Sequence, residues 1–495
     1  MEYRIFPSIG IARIGNSPEC FIGPERVSSR GVELTVTGEV EVANYKDAGF
    51  RTKKQAARFH LFERATPIDD FVPAALPHGA QVIWSVRLVN KKDGIVRHSA
   101  PPDALLPGTT LRPTANPARA SRVIDSGTVS ISGLNSVSAP LAGTHQGAAV
   151  KLGELRTDSN GRLLVLGGDG RSFSSPLTAI NSFYNNPNWC DDVADGPVTA
   201  SVALSDGTLM PVTGAWVISG PPDFAPGADS VVSLYDIIGQ LAVDQGWLPD
   251  PGVTSFTKDI YPLFRRARSL RFAHGRKSLA GVVISEPNWN NISEDFTRLS
   301  QTATSELTFR MQQRGILRKI ETLLSDYQLT ALQENHLDRW ANGTFAADWT
   351  GVPPVAALPT PAGLTQAALD GTAGQGFFPG IEGGRILTDP TIYHLTDFDF
   401  RIDQSRLQAG DVTALMALPW QADFLKCSGN WWPSQRPDIA PQANGSLKMW
   451  ARIGAAESTP THQQLVDHVM QFGMISPRVV GGVAVCVEEG RDPSI

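Results

Sequence analysis

The stretch VTASVALSDGTLMPVTGAWVISG, residues 198–220, holds two runs of β-branched and apolar residues separated by a polar turn. Runs at this hairpin-like spacing are typical of paired strands. Similar runs lie upstream, QVIWSVRLVN at 81–90 and GRLLVLGG at 161–168, and VELTVTGEVEV at 32–42 alternates as a half-buried strand does. Residues 1–225 are therefore predicted to be mainly β, built as packed antiparallel sheets.

The sequence changes character after residue 227. Apolar residues recur there every three or four positions, which is helical spacing, in the segments 231–247, 255–270, 316–324 and 329–343. Ser325 and Asp326 separate the last two segments and are suitable N-caps. Residues 226–350 are therefore predicted to be mainly helical.

The last part of the chain, residues 351–495, is mixed. Its Pro-, Gly- and Ala-rich start, 351–380, is predicted to be an irregular covering loop, and 461–473 an amphipathic helix that ends at Gly473. VVGGVAVCVEE at 479–489 is predicted to be a final strand. The fold class is thus α+β, β-rich with helical segments in the C-terminal half, and the three regions are expected to form one compact body.

Composition excludes several classes of function. The net charge of −6 is spread over 495 residues without a basic block, which argues against nucleic-acid binding. The N-terminus lacks the pattern of a secretory signal, and no apolar run reaches the roughly 18 residues that a membrane span needs. We expect a cytoplasmic protein without membrane contact, although export by an unrecognised route stays open.

The four cysteines, Cys20, Cys190, Cys427 and Cys486, are scattered without C-x-x-C pairs. A zinc site or a disulfide framework is therefore not expected, and neither is any other metal. Reduced thiols in a cytoplasmic compartment are the simplest interpretation of Cys20 and Cys486. Cys427 differs because of what surrounds it.

Cys427 lies in the sequence PWQADFLKCSGNWWPSQRPD, residues 419–438, and Trp450 follows in KMWARIG. Asp423 precedes Cys427 by four residues, so on a helical turn both side chains would face the same way. A carboxylate, a thiol and an indole are the components of a protein-derived cofactor. The acid can take a proton, the thiolate can attack an oxidised indole, and an indole quinone can act as an electron sink.

With these motifs the chain resembles the bacterial quinoprotein amino-acid oxidases that use cysteine tryptophylquinone, the family of L-lysine ε-oxidase and glycine oxidase. The resemblance runs end to end, with the motifs in family order. They are ARIGNSPE (12–19), FIGPE (21–25), KKQAARFHLF (53–62), WSVRLVNKK (84–92), LGELRTDSNGRLLVLGGDG (152–170), DDVADGPVTASV (191–202), WVISGPPDFAPG (216–227), FFPGIE (377–382), PWQADF (419–424), WWPSQRP (431–437) and VEEGRDP (487–493).

The resemblance implies a cofactor formed from Cys427 and Trp450. Trp431 and Trp432 are rival positions for the modified indole, and Trp432 could instead support the site. The resemblance assigns Asp423 to cofactor formation and to proton abstraction from the substrate. Arg436 could grip a substrate carboxylate or hold its own loop, and the second role is favoured.

Two positions that vary within this family, Cys190 and Phe378, are predicted to line the substrate pocket. Neither supplies a charge for a distal ammonium group. We therefore expect an amine or amino acid with a small or apolar side chain, or an amino group on a larger molecule, to be preferred over the ε-amine of lysine.

The implied activity is oxidative deamination of a primary amine or amino acid through a Schiff base, with dioxygen reoxidising the cofactor to give hydrogen peroxide and ammonia. A separate flavoprotein would install the quinone oxygens, and a homo-oligomer is expected. Two alternatives stay open. One is a quinoprotein dehydrogenase that passes electrons to a protein acceptor, and the other is a non-catalytic relative without the mature cofactor.

Overall fold

The computed structural model describes residues 1–95, 114–274, 277–279, 282–284, 289–323, 328–353, 359–374, 383–426, 435–454, 460–480 and 482–495. Within these ranges most of the strands join one 17-stranded sheet in the first half of the chain. The first strands of this sheet are β1 (Glu2–Phe6), β2 (Ile9–Arg13), β3 (Cys20–Ile22), β4 (Val32–Thr35), β5 (Gly38–Glu41), β6 (Lys54–Arg64), β7 (Val72–Pro73), β8 (Gln81–Val86) and β9 (Val89–Asn90).

The sheet continues with β10 (Ile124–Asp125), β11 (Val129–Ser132), β12 (Leu141–His145), β13 (Ala148–Thr157) and β14 (Leu163–Gly167). After the short pair β15 (Phe173–Ser174) and β16 (Trp189–Cys190), it ends with β17 (Ala194–Ala203), β18 (Leu209–Thr213) and β19 (Ala215–Gly220). Three further two-stranded pairs follow, β20 (Lys277–Leu279) with β21 (Val282–Ile284), β22 (Ile439–Pro441) with β23 (Leu447–Met449), and β24 (Met474–Val480) with β25 (Val483–Glu489).

The helices lie after residue 230, as the sequence predicts. They are α1 (Leu234–Asp244), α2 (Tyr261–Ser269), α3 (Phe296–Leu299), α4 (Leu307–Leu323), α5 (Ala331–Ala341), α6 (Pro361–Asp370), α7 (Trp420–Lys426) and α8 (His462–His468). The β-rich α+β class is therefore confirmed. The division into the regions 1–225, 226–350 and 351–495 stays a prediction.

Strand β6 is the centre of the sheet. It pairs with β1, β2, β7 and β14 in antiparallel fashion and with β3 in parallel. Two other pairs, β1 with β18 and β2 with β19, are also parallel. The sheet is thus mixed, although most of its pairings are antiparallel. The parallel pairings arise because β18 and β19, late in the sheet region, lie beside the N-terminal strands β1 and β2.

Several element boundaries differ from the sequence predictions. The expected half-buried strand at 32–42 is the mostly exposed hairpin β4–β5, whose turn at residues 36–37 is followed by Gly38 with a φ of 125°. The expected last strand is likewise the second arm of the hairpin β24–β25, which turns at Gly482. In both cases a glycine inside an apolar run permits the positive φ of a turn, and the alternating pattern is the same on either side of it.

Three more predictions were wrong in detail. The segment expected to be a covering loop, 351–380, contains helix α6, whose N-cap is Thr360 and whose first residue is Pro361. Helix α5 begins at Ala331 with Thr330 as its N-cap, rather than after Ser325 or Asp326. The helix expected over 461–473 is α8 followed by a short 3-10 turn at Val469–Gln471.

Two apolar cores matter for function. The sheet core is formed by buried side chains of the strands and includes Phe59, Trp84, Leu155, Val165 and Cys190. The C-terminal core gathers side chains that are far apart in the sequence, among them Phe224, Trp420, Phe424, Trp450, Phe472 and Met474. The second core therefore brings the Asp423 helix and Trp450 into one packed unit. Within the described ranges, no helix has the length and apolar character that crossing a membrane requires.

Candidate functional site

Helix α7 is anchored at its first residue by a buried ion pair. The backbone N–H of Trp420 donates to Asp191 Oδ2 at 2.9 Å, and Lys92 Nζ donates to the same oxygen at 2.6 Å. The side chains of Lys92 and Asp191 are fully buried. Asn90 Nδ2 donates to the other carboxylate oxygen at 3.0 Å. Residues of the sheet thus fix where the helix that carries Asp423 begins.

Asp423 lies in the middle of α7 and is only 3 % exposed, which is deeper than the half-buried position expected from the sequence. Its neighbours Trp420 and Phe424 pack in the C-terminal core with a ring-centroid separation of 5.0 Å. The helix ends at Lys426, directly before Cys427. Cys427, Trp431, Trp432 and Phe378 lie outside the described residues.

Trp450 is completely buried, and its indole is held from several sides. The ring N–H donates to the carbonyl oxygen of Gly473 at 2.8 Å. The ring centroid lies 4.9 Å from that of Phe224 and 5.2 Å from that of Phe472. Phe224 also contacts Phe424, with centroids 6.1 Å apart, so one aromatic ring joins α7 to Trp450.

Arg436 makes the second connection between α7 and Trp450. Its Nε donates to the carbonyl of Phe424 at 2.6 Å, and its Cζ lies 5.5 Å from the Trp450 ring centroid. The last carbonyls of a helix have no partner within the helix, and Arg436 satisfies one of them. Its Nη1 donates to the carbonyl of Pro437 at 2.8 Å. Both of these hydrogen bonds are made to backbone carbonyls, and the structural role of Arg436 stays a prediction.

Two buried carboxyl groups that sequence analysis missed lie on the segment that anchors α7. Burial raises the pKa of Asp192 to about 7, although the N–H groups of Arg171 and Gly170 oppose the rise. Burial likewise raises the pKa of Asp195 to about 6, against hydrogen bonds from Thr413 and Trp216. The sequence feature that could have revealed them is the run DDVAD at 191–195. It places three acidic residues directly before a segment with the pattern of a strand.

Cys190 lies in β16, opposite Phe173 of β15, and its side chain belongs to the sheet core. Burial raises the pKa of its thiol, so the neutral form is favoured. Among the described contacts none joins Cys190 to Trp450, whereas its neighbour Asp191 contacts α7. The pocket role of Cys190 and of Phe378 stays a prediction.

The described part of the chain contains no group of three or more His, Cys, Asp or Glu side chains arranged to hold a metal ion. Asp423, Trp450 and Arg436 are the candidate site residues that the structure describes, together with their aromatic neighbours. Asp423 and the Trp450 indole are both buried, and the ring of Phe224 contacts both Phe424 and Trp450.

Comparison with known families defines the class. The family model for the N-terminal part of L-lysine ε-oxidase matches residues 6–219, and the model for its C-terminal domain matches residues 312–450. Together these ranges span most of the chain, and the second ends at Trp450. The chain belongs to the L-lysine ε-oxidase family, whose members are amino-acid oxidases, and it is an oxidoreductase that acts on amino groups.

Individual relatives agree with this assignment. L-lysine 6-oxidase of Marinomonas mediterranea is 26 % identical over 86 % of this chain and 71 % of that protein. The crystal structure of L-Lys ε-oxidase from the same organism superposes with a TM-score of 0.79 at 20 % identity, covering 99 % of this chain and 95 % of that one. The structure of that enzyme's Schiff base intermediate with L-Lys superposes with a TM-score of 0.77 at 21 % identity and the same coverage. At these identities the structural likeness establishes the fold.

Proposed function

We propose that this protein oxidatively deaminates a primary amine or amino acid, using a cysteine tryptophylquinone formed from Cys427 and Trp450 and dioxygen as electron acceptor. One observation carries the proposal. Trp450 is fully buried, and Arg436 and Phe224 join it to the helix that leads into Cys427.

The residues around Trp450 suit such a cofactor. The hydrogen bond to Gly473 fixes the orientation of the ring, and the rings of Phe224 and Phe472 limit its movement. The Arg436 guanidinium places a permanent positive charge near the ring, where it would stabilise negative charge on electron-rich oxygens. A tryptophan-derived quinone supplies a carbonyl that accepts an amine and an electron pair.

The protein's own part in the reaction falls to Asp423. Asp423 is buried on a short helix, and its carboxylate would remove the proton from the carbon that bears the amine. Trp420 and Phe424 of this helix pack with Phe224 in the C-terminal core, which gives Asp423 apolar surroundings. A fixed base in a dry site needs little reorganisation at the moment of proton transfer.

We propose that the preferred substrate carries its amine beside a small or apolar side chain, or on a larger molecule. The relatives named above act on L-lysine, whereas Cys190 and Phe378 favour a small or apolar side chain. A hydrophobic pocket separates neighbours that differ by one methylene by only about 1–3 kcal/mol. Activity should therefore fall gradually across apolar amino acids and sharply for charged ones.

A peroxide-coupled screen of amino acids and simple amines tests this proposal. The protein should be produced together with its flavoprotein partner. Both that partner and a homo-oligomeric state stay predictions. Peroxide formed with an apolar amino acid would support the proposal. Turnover of an amine without peroxide would indicate a dehydrogenase, and absence of both turnover and quinone staining on a gel would indicate a non-catalytic relative. Lysine preferred by a wide margin would contradict the pocket prediction.

A further inference from the structure

The backbone around Trp450 is held by the C-terminal hairpin and the residues after it. Arg491 donates through Nη2 to the carbonyl of Trp450 and through Nη1 to the carbonyl of Arg452 at 3.1 Å. These two carbonyls lie on either side of Ala451, so Arg491 spans the turn that carries Trp450. Both the hairpin and Arg491 lie beyond residue 450, where the family match ends.

One buried carboxylate connects the two arginines of this turn. Glu488 accepts from Arg491 Nε at 2.7 Å and from Arg452 Nη2 at 2.6 Å. Gln442 Nε2 donates to the same carboxylate at 2.9 Å. The side chain of Glu488 is only 3 % exposed, and those of Arg452 and Arg491 are 9 % and 14 % exposed. We call Arg452, Glu488 and Arg491 the Trp450 clamp.

The same carboxylate side chain also contacts the residue that binds the indole. A Cβ built on Gly473 would lie 2.4 Å from Glu488 Cγ, so the two residues touch across the hairpin. Gly473 is the residue whose carbonyl accepts the Trp450 ring N–H. Arg491 Cζ lies 5.0 Å from the ring centroid of Phe472, which packs on Trp450. Glu488 therefore supports Trp450 at both its backbone and its ring.

The charge state of Glu488 suits this role. Burial alone would raise the pKa of Glu488, but Arg491, Arg452 and Gln442 outweigh burial and lower it below its ordinary value. The carboxylate is therefore ionised at neutral pH. Charge-assisted hydrogen bonds in a buried setting are short and directional, so they specify one position more strongly than apolar packing alone.

We propose that Glu488, acting through Arg452 and Arg491, is a positioning residue that fixes the Trp450 indole in the place where it can be joined to Cys427. This inference rests on the proposed function, because it gives Trp450 the cofactor role. It concerns a precondition of cofactor formation and not the oxidation of substrate. A site held about 1 Å too loosely can lose on the order of a hundredfold in rate.

The test compares Glu488→Gln with the matched control Glu489→Gln, each produced with the flavoprotein partner. Glu489 is the next residue of the same strand, and it pairs with Arg478 where both side chains are half-exposed. Peptide mass spectrometry gives the fraction of chains in which the Cys427 and Trp450 peptides are joined. We expect that fraction to fall by on the order of tenfold or more in Glu488→Gln and to stay unchanged in Glu489→Gln.

A second readout does not need the cofactor. In chains made without the partner and labelled with fluorotryptophan, the fluorine NMR signal absent from Trp450→Phe reports on Trp450. Glu488→Gln should shift or broaden that signal and leave the other tryptophan signals in place. Wild-type cross-linking together with an unchanged Trp450 signal would overturn the inference.

Two further outcomes are distinguishable. If Glu488→Gln disturbs every tryptophan signal, Arg491→Lys is compared next, since a lysine can pair with Glu488 but cannot reach both carbonyls. Loss of all signals in that variant as well would overturn the inference, because the clamp would then hold the fold and not the indole. If the wild-type chain itself lacks the cross-link, the proposed function fails, while the Trp450 signal still decides whether Glu488 positions the ring.

Discussion

At the scale of single residues, Asp423 shows what a local sequence motif can and cannot predict. Its spacing from Cys427 is visible in the sequence, and the structure places it on α7, buried beside Phe424. Cys427 lies outside the described residues, so a shared helical turn with Asp423 stays a prediction, and only the helix around Asp423 is observed. The depth of burial depends on residues such as Phe224 that lie far away in the chain, and the sequence underestimated it.

Asp423→Asn should abolish cofactor maturation and turnover, because an amide keeps the shape of the side chain but cannot accept the proton. General-base catalysis contributes a factor of about 10² to 10⁴ to the rate. The turnover rate of Asp423→Asn should therefore be at least about 100-fold below that of the wild type. Peroxide assays and intact mass measure the two effects. Asp467→Asn, an exposed change on α8, is the control and should match the wild type. Near-normal turnover in Asp423→Asn would show that Asp423 is only structural.

The buried pair Lys92–Asp191 is a residue-scale feature that the sequence did not reveal. Lys92→Met should lower the free energy of unfolding by about 3–5 kcal/mol, because it leaves Asp191 buried without its partner. Arg87→Met removes one partner of an exposed pair with Asp125 and should cost less than about 1 kcal/mol. Denaturant unfolding compares them. Equal costs would mean that the pair does not anchor α7.

The two partners of that pair are 99 positions apart in the sequence, and Lys92 lies in a segment that otherwise looks like the end of a strand. Nothing in local spacing connects them. The same holds for Glu488 and Arg452. Sequence analysis could propose chemical groups for the site, because a motif shows residue types, but it could not reveal buried pairs whose partners are far apart in the chain.

At the scale of elements, periodicity located helices and strands well but not their ends. Helix α5 is an example, because a threonine four positions beyond Asp326 provides the actual cap. Thr330 accepts the N–H of Gln333, and Gln333 returns a side-chain bond to the N–H of Thr330. The pattern Thr-x-x-Gln is a capping box, and it was present in the sequence.

Thr330→Ala should destabilise the protein by about 1 kcal/mol, since it leaves helical N–H groups without a partner. Thermal or denaturant unfolding measures the change. Thr350→Ala is a suitable control, because Thr350 is exposed and makes only a 3.4 Å hydrogen bond to Val352. A loss from Thr330→Ala no larger than from Thr350→Ala would contradict the assignment of the cap.

At the scale of the whole molecule, the sequence predicted a β-rich body followed by helices, and this is observed. It did not predict the three parallel pairings, which join β1, β2 and β3 to strands met later in the chain. Alternation shows which face of a strand is buried but not which strand lies beside it. Likewise, the C-terminal core combines side chains from Phe224 to Met474 that no local pattern connects.

The pH dependence of stability is also a property of the whole molecule. Burial raises the pKa of Asp192 from 3.8 to about 7 in the folded protein. Between these values the folded state holds a proton that the unfolded state has lost, so this group favours folding less as pH rises through the window. Its contribution should fall by up to about 1.4 kcal/mol per pH unit.

Asp192→Asn removes the titrating group and should therefore gain stability relative to the wild type as pH rises from 4 to 7. Denaturant unfolding at several pH values measures the difference. Asp244→Asn, at an exposed position of α1, should leave the pH profile unchanged. A difference between wild type and Asp192→Asn that is flat across this range would show that Asp192 is ionised in the folded state.

The central claim is that Cys427 and Trp450 form one cofactor, and peptide mass spectrometry of active protein made with its maturation partner tests it most directly. The account predicts that the Cys427 and Trp450 peptides are joined, with two oxygens added to the indole of Trp450. Oxygens on Trp431 or Trp432 would contradict the assignment of the indole. Unmodified Cys427 and Trp450 peptides in active enzyme would contradict the mechanism itself.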